Sequence, residues 1–348
     1  MKLILIIYFF FCLTFLSCKK QTEENLKSEN LKNTNLGMIQ VNNDSEFSEQ
    51  QNNINELELF GIVDIEEYDN NKVGLISVSD IYSLSENKDS LAISNGKSNQ
   101  KYFELNGIYR QRLLTKTHIS ESDSVYIYNY EANDLMSLPI KKLKTIAYLN
   151  IYTDVNNCPC NQDYYMIGFE VPKTSLNNLN EALVYIGKQN PFIKGEMKPI
   201  VWKKIKYNEF PITKSNLKIS KNNGNTYAYK SDKYYYFIND YKVKIENSSS
   251  DYENTNRHLM IVDIKTGNLI FERNFEENES SSPSQLNFGI SDPNNKYITD
   301  VKNQWTGKLF KNYPEVIFGF EDVSFGCPNI MFINSKKKDI YINCDNRH

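Results

Sequence analysis

The chain has 348 residues, 24% charged and 40% hydrophobic, with 40 Lys and Arg against 43 Asp and Glu for a formal charge of −3. That slightly acidic balance excludes the basic footprint of a nucleic-acid-binding protein. The length suffices for one large or two modest domains.

The chain opens with Lys2, an apolar run from Leu3 to Leu16, and then Ser17-Cys18. A charged start, an apolar core and a small residue before the cut describe a secretory signal peptide over residues 1–17. A transmembrane helix needs ~20 apolar residues; this run is shorter, and Lys19-Lys20 follow at once. Phe15-Leu16-Ser17-Cys18 resembles the lipobox of bacterial lipoproteins, departing from it at Phe15, where leucine is usual. The resemblance covers the leader alone. It implies cleavage before Cys18, diacylglycerol on the Cys18 sulfur, an acyl chain such as palmitate on the new amine, and the membrane as a partner. Two or three acyl chains supply the stable anchoring that one cannot. In that family an aspartate directly after the cysteine often means inner-membrane retention. Lys19 stands there instead, which implies the outer membrane, facing either the periplasm or the outside. Lys19 to Glu24 also resembles the short charged export tags of some surface lipoproteins.

Residues 18–55 are rich in Asn, Glu, Gln, Ser and Lys, and their scattered leucines match no helical or strand face. Such a segment cannot bury enough apolar surface to fold, and is expected to be a disordered tether. It would reach ~120 Å extended and average roughly 35 Å as a coil.

Strands are expected from Leu57 onward. Leu57–Ile65, Val73–Val78, Val125–Tyr130, Ile146–Tyr152 and Tyr164–Val171 are β-branched and aromatic runs, several with partial alternation. One amphipathic helix is expected at about 175–186. Leu176, Leu179, Leu183 and Ile186 fall at helical steps, with Thr174 or Ser175 to cap its start and Gly187 to end it. Met197–Tyr207 reads as one strand. Pro211–Asn225 is poor in apolar residues and suggests a boundary between a domain at 56–215 and a C-terminal antiparallel β domain at 216–348. Tyr234–Ile245 reads as one long strand or a pair bent at Asn239-Asp240. The expected fold is mainly β, with antiparallel sheets in one large or two packed units; a propeller-like arrangement is the alternative.

Two hairpins stand out: His258–Ile264 with Leu269–Phe275, and Asn329–Asn334 with Asp339–Asn343. A register symmetric about Lys336-Lys337 pairs Asn329 with Cys344. That leaves Cys327 two residues from opposite Cys344, within bridging reach if the strand bulges. Removing Cys12 and Cys18 leaves Cys158, Cys160, Cys327 and Cys344, and an even number in an exported chain reads first as disulfides. Cys327–Cys344 is the expected bridge. Cys158-Pro159-Cys160 is then left to bridge, to exchange redox state, or to hold a soft metal ion. Zinc would need further ligands, and His118, His258 and His348 have no ligand spacing, so no metal site is assigned.

The remaining motifs fail in context. Gly96-Lys97-Ser98 lacks the earlier glycine of a phosphate loop. Ser94-x-x-Lys97, Ser220-x-Asn222 and Lys265-Thr266-Gly267 follow the order of the serine β-lactamase set, but no long apolar helix carries Ser94. The Asx-rich loops at Asp154 and Asp292 complete no calcium motif. No catalytic residue or cofactor is therefore assigned. Trp202 and Trp305 are candidates to stack on sugar rings, against the plainer role of core packing. The leading expectation is a lipid-anchored, non-enzymatic binding or envelope-support protein with an unidentified glycan or protein ligand. The alternatives are a carboxylate-based glycan hydrolase and thiol or metal handling at Cys158 and Cys160.

Overall fold

The structure, a computed structural model, describes residues 57–66, 72–82, 100–150, 153, 162–172, 182–217, 224–244, 253–289, 303–334 and 336–345. Cys18, the tether, Cys158 and Cys160 lie outside these residues, as do Ser94, Ser220, Asp154 and Asp292. In chain order the elements are β1 (Leu59–Phe60), β2 (Ile62–Glu66), β3 (Lys72–Ser77), β4 (Tyr102–Glu104), the helix α1 (Ile108–Lys116), β5 (Ser124–Asn129) and β6 (Asp134–Pro139). There follow β7 (Thr145–Leu149), β8 (Tyr165–Pro172), β9 (Ala182–Gly187), β10 (Met197–Pro199), β11 (Lys203–Ile205), β12 (Asn225–Lys230), β13 (Tyr234–Lys244) and β14 (Glu253–Asp263). The last are β15 (Leu269–Phe275), β16 (Ser281–Pro283), β17 (Trp305–Gly307), β18 (Val316–Phe318), β19 (Glu321–Val323), β20 (Asn329–Phe332) and β21 (Ile340–Asn343). Among the described residues 50% are strand and 9% helix, so the protein is mainly β, and its sheets are antiparallel apart from one pair, as the sequence indicates.

A nine-stranded sheet, ordered β10-β17-β18-β20-β21-β1-β9-β5-β6, curls into a half-barrel. Its one parallel pair is β1 with β21, where Leu59 faces Ile342 and Phe60 faces Asn343. Contacts across the hollow show which way it curls. Tyr130, just past β5, meets Trp305 of β17 and Phe318 of β18 edge-on at 5.1 and 4.9 Å. The concave side is filled by Leu59, Leu183, Met197, Val316, Ile330, Phe332 and Ile342 from the strands, with Phe192 and Phe310 from the loops.

Two smaller sheets cover the convex side. The sheet β2-β3-β8-β7-β4 sets Ile76, Ala147, Ile167 and Phe169 against Phe60, Val125, Ile127 and Val184. The meander β11 to β15 sets Tyr236, Ile238, Leu259 and Ile261 against Ile317 and Met331. Alternate residues of the large sheet therefore enter different cores, the consequence of the period of two along a strand. No radial array of blades is present among the described residues, so the propeller-like alternative is set aside.

The sheets do not divide at residue 215. β11 pairs with β12 across it, β1 pairs with β21, and Asn55–His348 clusters as one compact unit.

Two local expectations are corrected, and one helix was not foreseen. The helix read at about 175–186 is a strand where it is described: β9 lies between β1 and β5. Leu183 enters the concave core while Val184 and Ile186 enter the convex one. A central strand that buries both faces yields an apolar run whose spacing also fits a helix. Residues 173–181 lie outside the described set. The α-helix among the described residues, α1, buries only Leu113 and Leu114 among polar residues, too weak a pattern to signal itself. It is held instead by Arg110, which grips Glu121 with Nε and Nη2 at 2.8 Å each and donates to the Leu143 and Ile140 carbonyls. Finally, Met197–Tyr207 is two strands in two sheets, parted at Ile200–Trp202.

Both hairpins form. In the second, Asn329 pairs with Tyr341 instead of Cys344, a three-residue shift. The shift brings the cysteines nearer, and Cys327–Cys344 is a disulfide with Cα atoms 5.6 Å apart.

Candidate functional site: the tyrosine-lined mouth of the half-barrel

Val125–Tyr130 alternates, so Tyr126, Tyr128 and Tyr130 all point to the concave side while Val125 and Ile127 point to the convex core. One row of paired residues runs across the sheet: Ile342, Leu59, Tyr185, Tyr126. Ile342 and Leu59 are buried, whereas Tyr185 and Tyr126 are half-buried. The row thus passes from filled core to an open aromatic rim, joined by half-buried Tyr313 from the loop after β17.

Deeper in, the hollow is closed. The Tyr128 hydroxyl donates to Asn133 Oδ1 at 3.2 Å and accepts the Gly195 amide at 3.3 Å, tying the β5–β6 turn to the segment before β10. At the rim, the Tyr126 and Tyr185 ring centroids are 6.5 Å apart with planes 27° from parallel. The far end of the Tyr185 ring lies over Gly187, where a Cβ would stand 2.7 Å from the hydroxyl oxygen. The Tyr126 hydroxyl points the same way, donating to the Lys188 carbonyl at 3.3 Å. Tyr313 stacks on Phe332 at 5.5 Å, and Lys337 Nζ sits 4.6 Å above the Tyr313 ring. Burial first, and then the nearby Asp123 carboxylate, push the Tyr185 phenol above its ordinary range, so it stays neutral. Asp123 is buried just before β5; Oδ2 accepts the Ser120 amide at 2.7 Å and Oδ1 has no hydrogen-bond partner.

Other polar clusters have structural or chemical claims. Arg257 binds Asp240 with Nε and Nη2 at 2.8 and 2.9 Å, and donates to the Ser284 carbonyl at 2.8 Å. This buried clip joins the meander to the segment before β17. His258 is fully buried, with Nε2 2.8 Å from Glu272 Oε1. Burial pushes the imidazole below its ordinary range, outweighing the attraction of Glu272. Burial works against the Glu272 carboxylate too, yet hydrogen bonds from Ser215, the Asn216 amide and His258 hold it below the usual carboxylate range. The glutamate stands between the serine and the histidine, so His258 takes no proton from Ser215 and the three do not form a nucleophilic relay. A third cluster pairs Arg273 with Asp339 at 2.8 Å beside Glu321. Burial, aided by Asp339 and opposed by Arg273, pushes Glu321 upward.

The residues singled out by sequence fall as follows. Trp202 and Trp305 are 2% and 5% exposed, so neither offers a face to a ligand. They are core residues, and the Trp202 indole donates to Gln304 Oε1 at 3.0 Å. In the strand read at Tyr234–Ile245, Tyr236 is buried and bonded to Thr306 at 2.7 Å. Lys265-Thr266-Gly267 is the turn of the β14–β15 hairpin, with Gly267 at φ 69°. No group of three or more His, Cys, Asp or Glu able to hold a metal ion occurs among the described residues. The rim tyrosines were not among the sequence candidates, although the alternation of tyrosines 126, 128 and 130 signals a shared face. No helix among the described residues is long and apolar enough to cross a membrane. No family model, curated protein or solved structure matches the chain.

Proposed function

We propose that the protein is an exported, lipid-anchored envelope protein that holds a ligand without chemically altering it, at the tyrosine-lined mouth. One observation carries the binding part: the row Ile342-Leu59-Tyr185-Tyr126 changes from buried aliphatic to half-exposed aromatic residues at the mouth of a curled sheet. Barrel mouths combine an apolar wall with a few polar groups, which is what small-ligand sites need. The anchor rests on the leader, Phe15-Leu16-Ser17-Cys18. Two experiments test the two parts. Labelled palmitate should enter the native chain and not the Cys18→Ser chain; equal labelling ends the anchoring reading. Protease applied to intact cells then tells whether the residues after Asn55 face outward or lie in the periplasm. For binding, ligands captured by the full-length protein should shift its tyrosine signals at the mouth. Capture that leaves those signals unmoved places the site elsewhere.

A second reading, carboxylate-based glycan hydrolysis, is favoured by Glu321 and Asp339. Burial pushes the Glu321 carboxyl upward, which suits a general acid, and the Asp339 carboxyl lies near it. Under this reading the native protein releases reducing ends from an envelope glycan and Glu321→Gln does not. Absence of release from the native protein removes it.

A further inference from the structure

We infer that the mouth takes an uncharged sugar ring, laid against the near-parallel rings of Tyr126 and Tyr185, with Gly187 as the residue that lets the Tyr185 ring lie along the strand. The inference rests on the reading of the mouth as a binding site.

Three observations carry it. The first is the shape of the aromatic surface. The rings stand on neighbouring strands as an offset, near-parallel pair, with centroids 6.5 Å apart and planes 27° from parallel, so both can present aromatic surface to one ligand. The second is Gly187. Residues two apart on a strand share a face, and any side chain there would collide with the Tyr185 ring at 2.7–2.9 Å. The glycine therefore leaves the ring lying along the strand. The third is polarity. Both hydroxyl groups lie toward the same end of the β5–β9 ladder, so the aromatic surface carries a hydrogen-bonding margin. A pyranose has that complementary pattern: a face of C–H groups and an edge of hydroxyls.

The same geometry argues against other ligands. Caging an ammonium group takes several ring faces converging on one point. Here two rings are nearly parallel, and the Tyr313 face is already covered by Lys337. Anions are disfavoured at this end by buried Asp123, whose charge reaches the Tyr185 hydroxyl.

The test uses the full-length protein in detergent against neutral oligosaccharides (chito-, malto-, manno- and cello-hexaose) and the polysaccharide fraction of the producing cell. Saturation-transfer NMR reads the contact. A neutral saccharide is expected to receive magnetisation, with ring C–H protons labelled more strongly than the distal ones. Tyr185→Ala and Gly187→Ala should each weaken binding at least tenfold with unchanged circular dichroism. Tyr185→Phe, which keeps the ring, should stay within threefold of native. Tyr341→Ala, on the convex side and 68% exposed, should change nothing. If saccharides bind Tyr185→Ala as they bind the native chain, or no saccharide in the set binds, the inference is overturned. Binding of tetramethylammonium or an apolar peptide at these tyrosines, without saccharide binding, overturns the sugar and keeps the mouth. If no probe perturbs Tyr126 or Tyr185, the mouth itself is not the site.

Discussion

Single residues in this protein are placed by what they must do with their polar atoms. Arg110 and Arg257 each reach several partners because a guanidinium carries five donors in a rigid fork. His258 shows the opposite case. With Nε2 donating to Glu272, Nδ1 is left as a buried lone pair without a partner. Protonating it would bury an unpaired N–H, so the native imidazole stays neutral. The consequence for stability has a definite sign. Below its ordinary value of 6.5 the unfolded histidine binds a proton that the native one refuses. The His258 contribution is therefore full above about pH 6.5 and is lost as the pH falls toward the native value, at up to ~1.4 kcal/mol per pH unit. Glu272, also lowered, extends the loss below 4.5. Urea unfolding of the native chain between pH 7 and 5 should show this fall, and His258→Gln should flatten it. An equal slope in the variant would mean that other groups govern acid sensitivity. Nothing in the sequence marked His258; its role follows from Phe210 covering it, with ring centroids 5.4 Å apart, and from Glu272 on the neighbouring strand.

At the scale of elements, close approach of backbones decides what a strand tolerates. Gly168 sits in β8 against β3, and a Cβ there would stand 1.8 Å from the Ile76 carbonyl oxygen. Gly168→Ala must push the two strands apart, opening the core that holds Ile76 and Phe169. A loss of at least about 1–3 kcal/mol is expected from such overpacking, read as a lower urea midpoint at unchanged slope. A neutral result would show that β3 and β8 shift freely. Gly61 does related work between β1 and β2. Its amide donates to Asn343 O at 2.7 Å, and the chain passes there from the nine-stranded sheet into the first five-stranded one. In sequence, Leu57–Ile65 looks like one strand; the change of sheet is visible only once β21 arrives beside β1. The same holds for 182–187. Apolar residues on both sides of a strand and at helical steps on a helix are written alike over six positions.

For the whole molecule, the first and last strands among the described residues, β1 and β21, lie side by side. The nine-stranded sheet is two groups, β10-β17-β18-β20-β21 and β1-β9-β5-β6, joined by the short parallel pair β1–β21. Cys327–Cys344 fastens β21 just past that junction, closing a sequence separation of 17 residues. Restricting the unfolded chain by such a loop contributes about 2–4 kcal/mol. Cys327→Ala with Cys344→Ala should lower the unfolding free energy by that amount, and dithiothreitol should reproduce the loss in the native chain. If reduction leaves the urea midpoint unchanged, the junction holds without the bridge. By itself the sequence determined the mainly β class, both hairpins and the 327–344 bridge, because alternation, turn residues and cysteine spacing act over short chain distances. Tertiary structure alone decided that 182–187 is a strand, that Trp202 and Trp305 are core, and that Tyr126 meets Tyr185. Those outcomes depend on which distant strand lies alongside, and strand pairing is settled by burying the faces of whole sheets against each other.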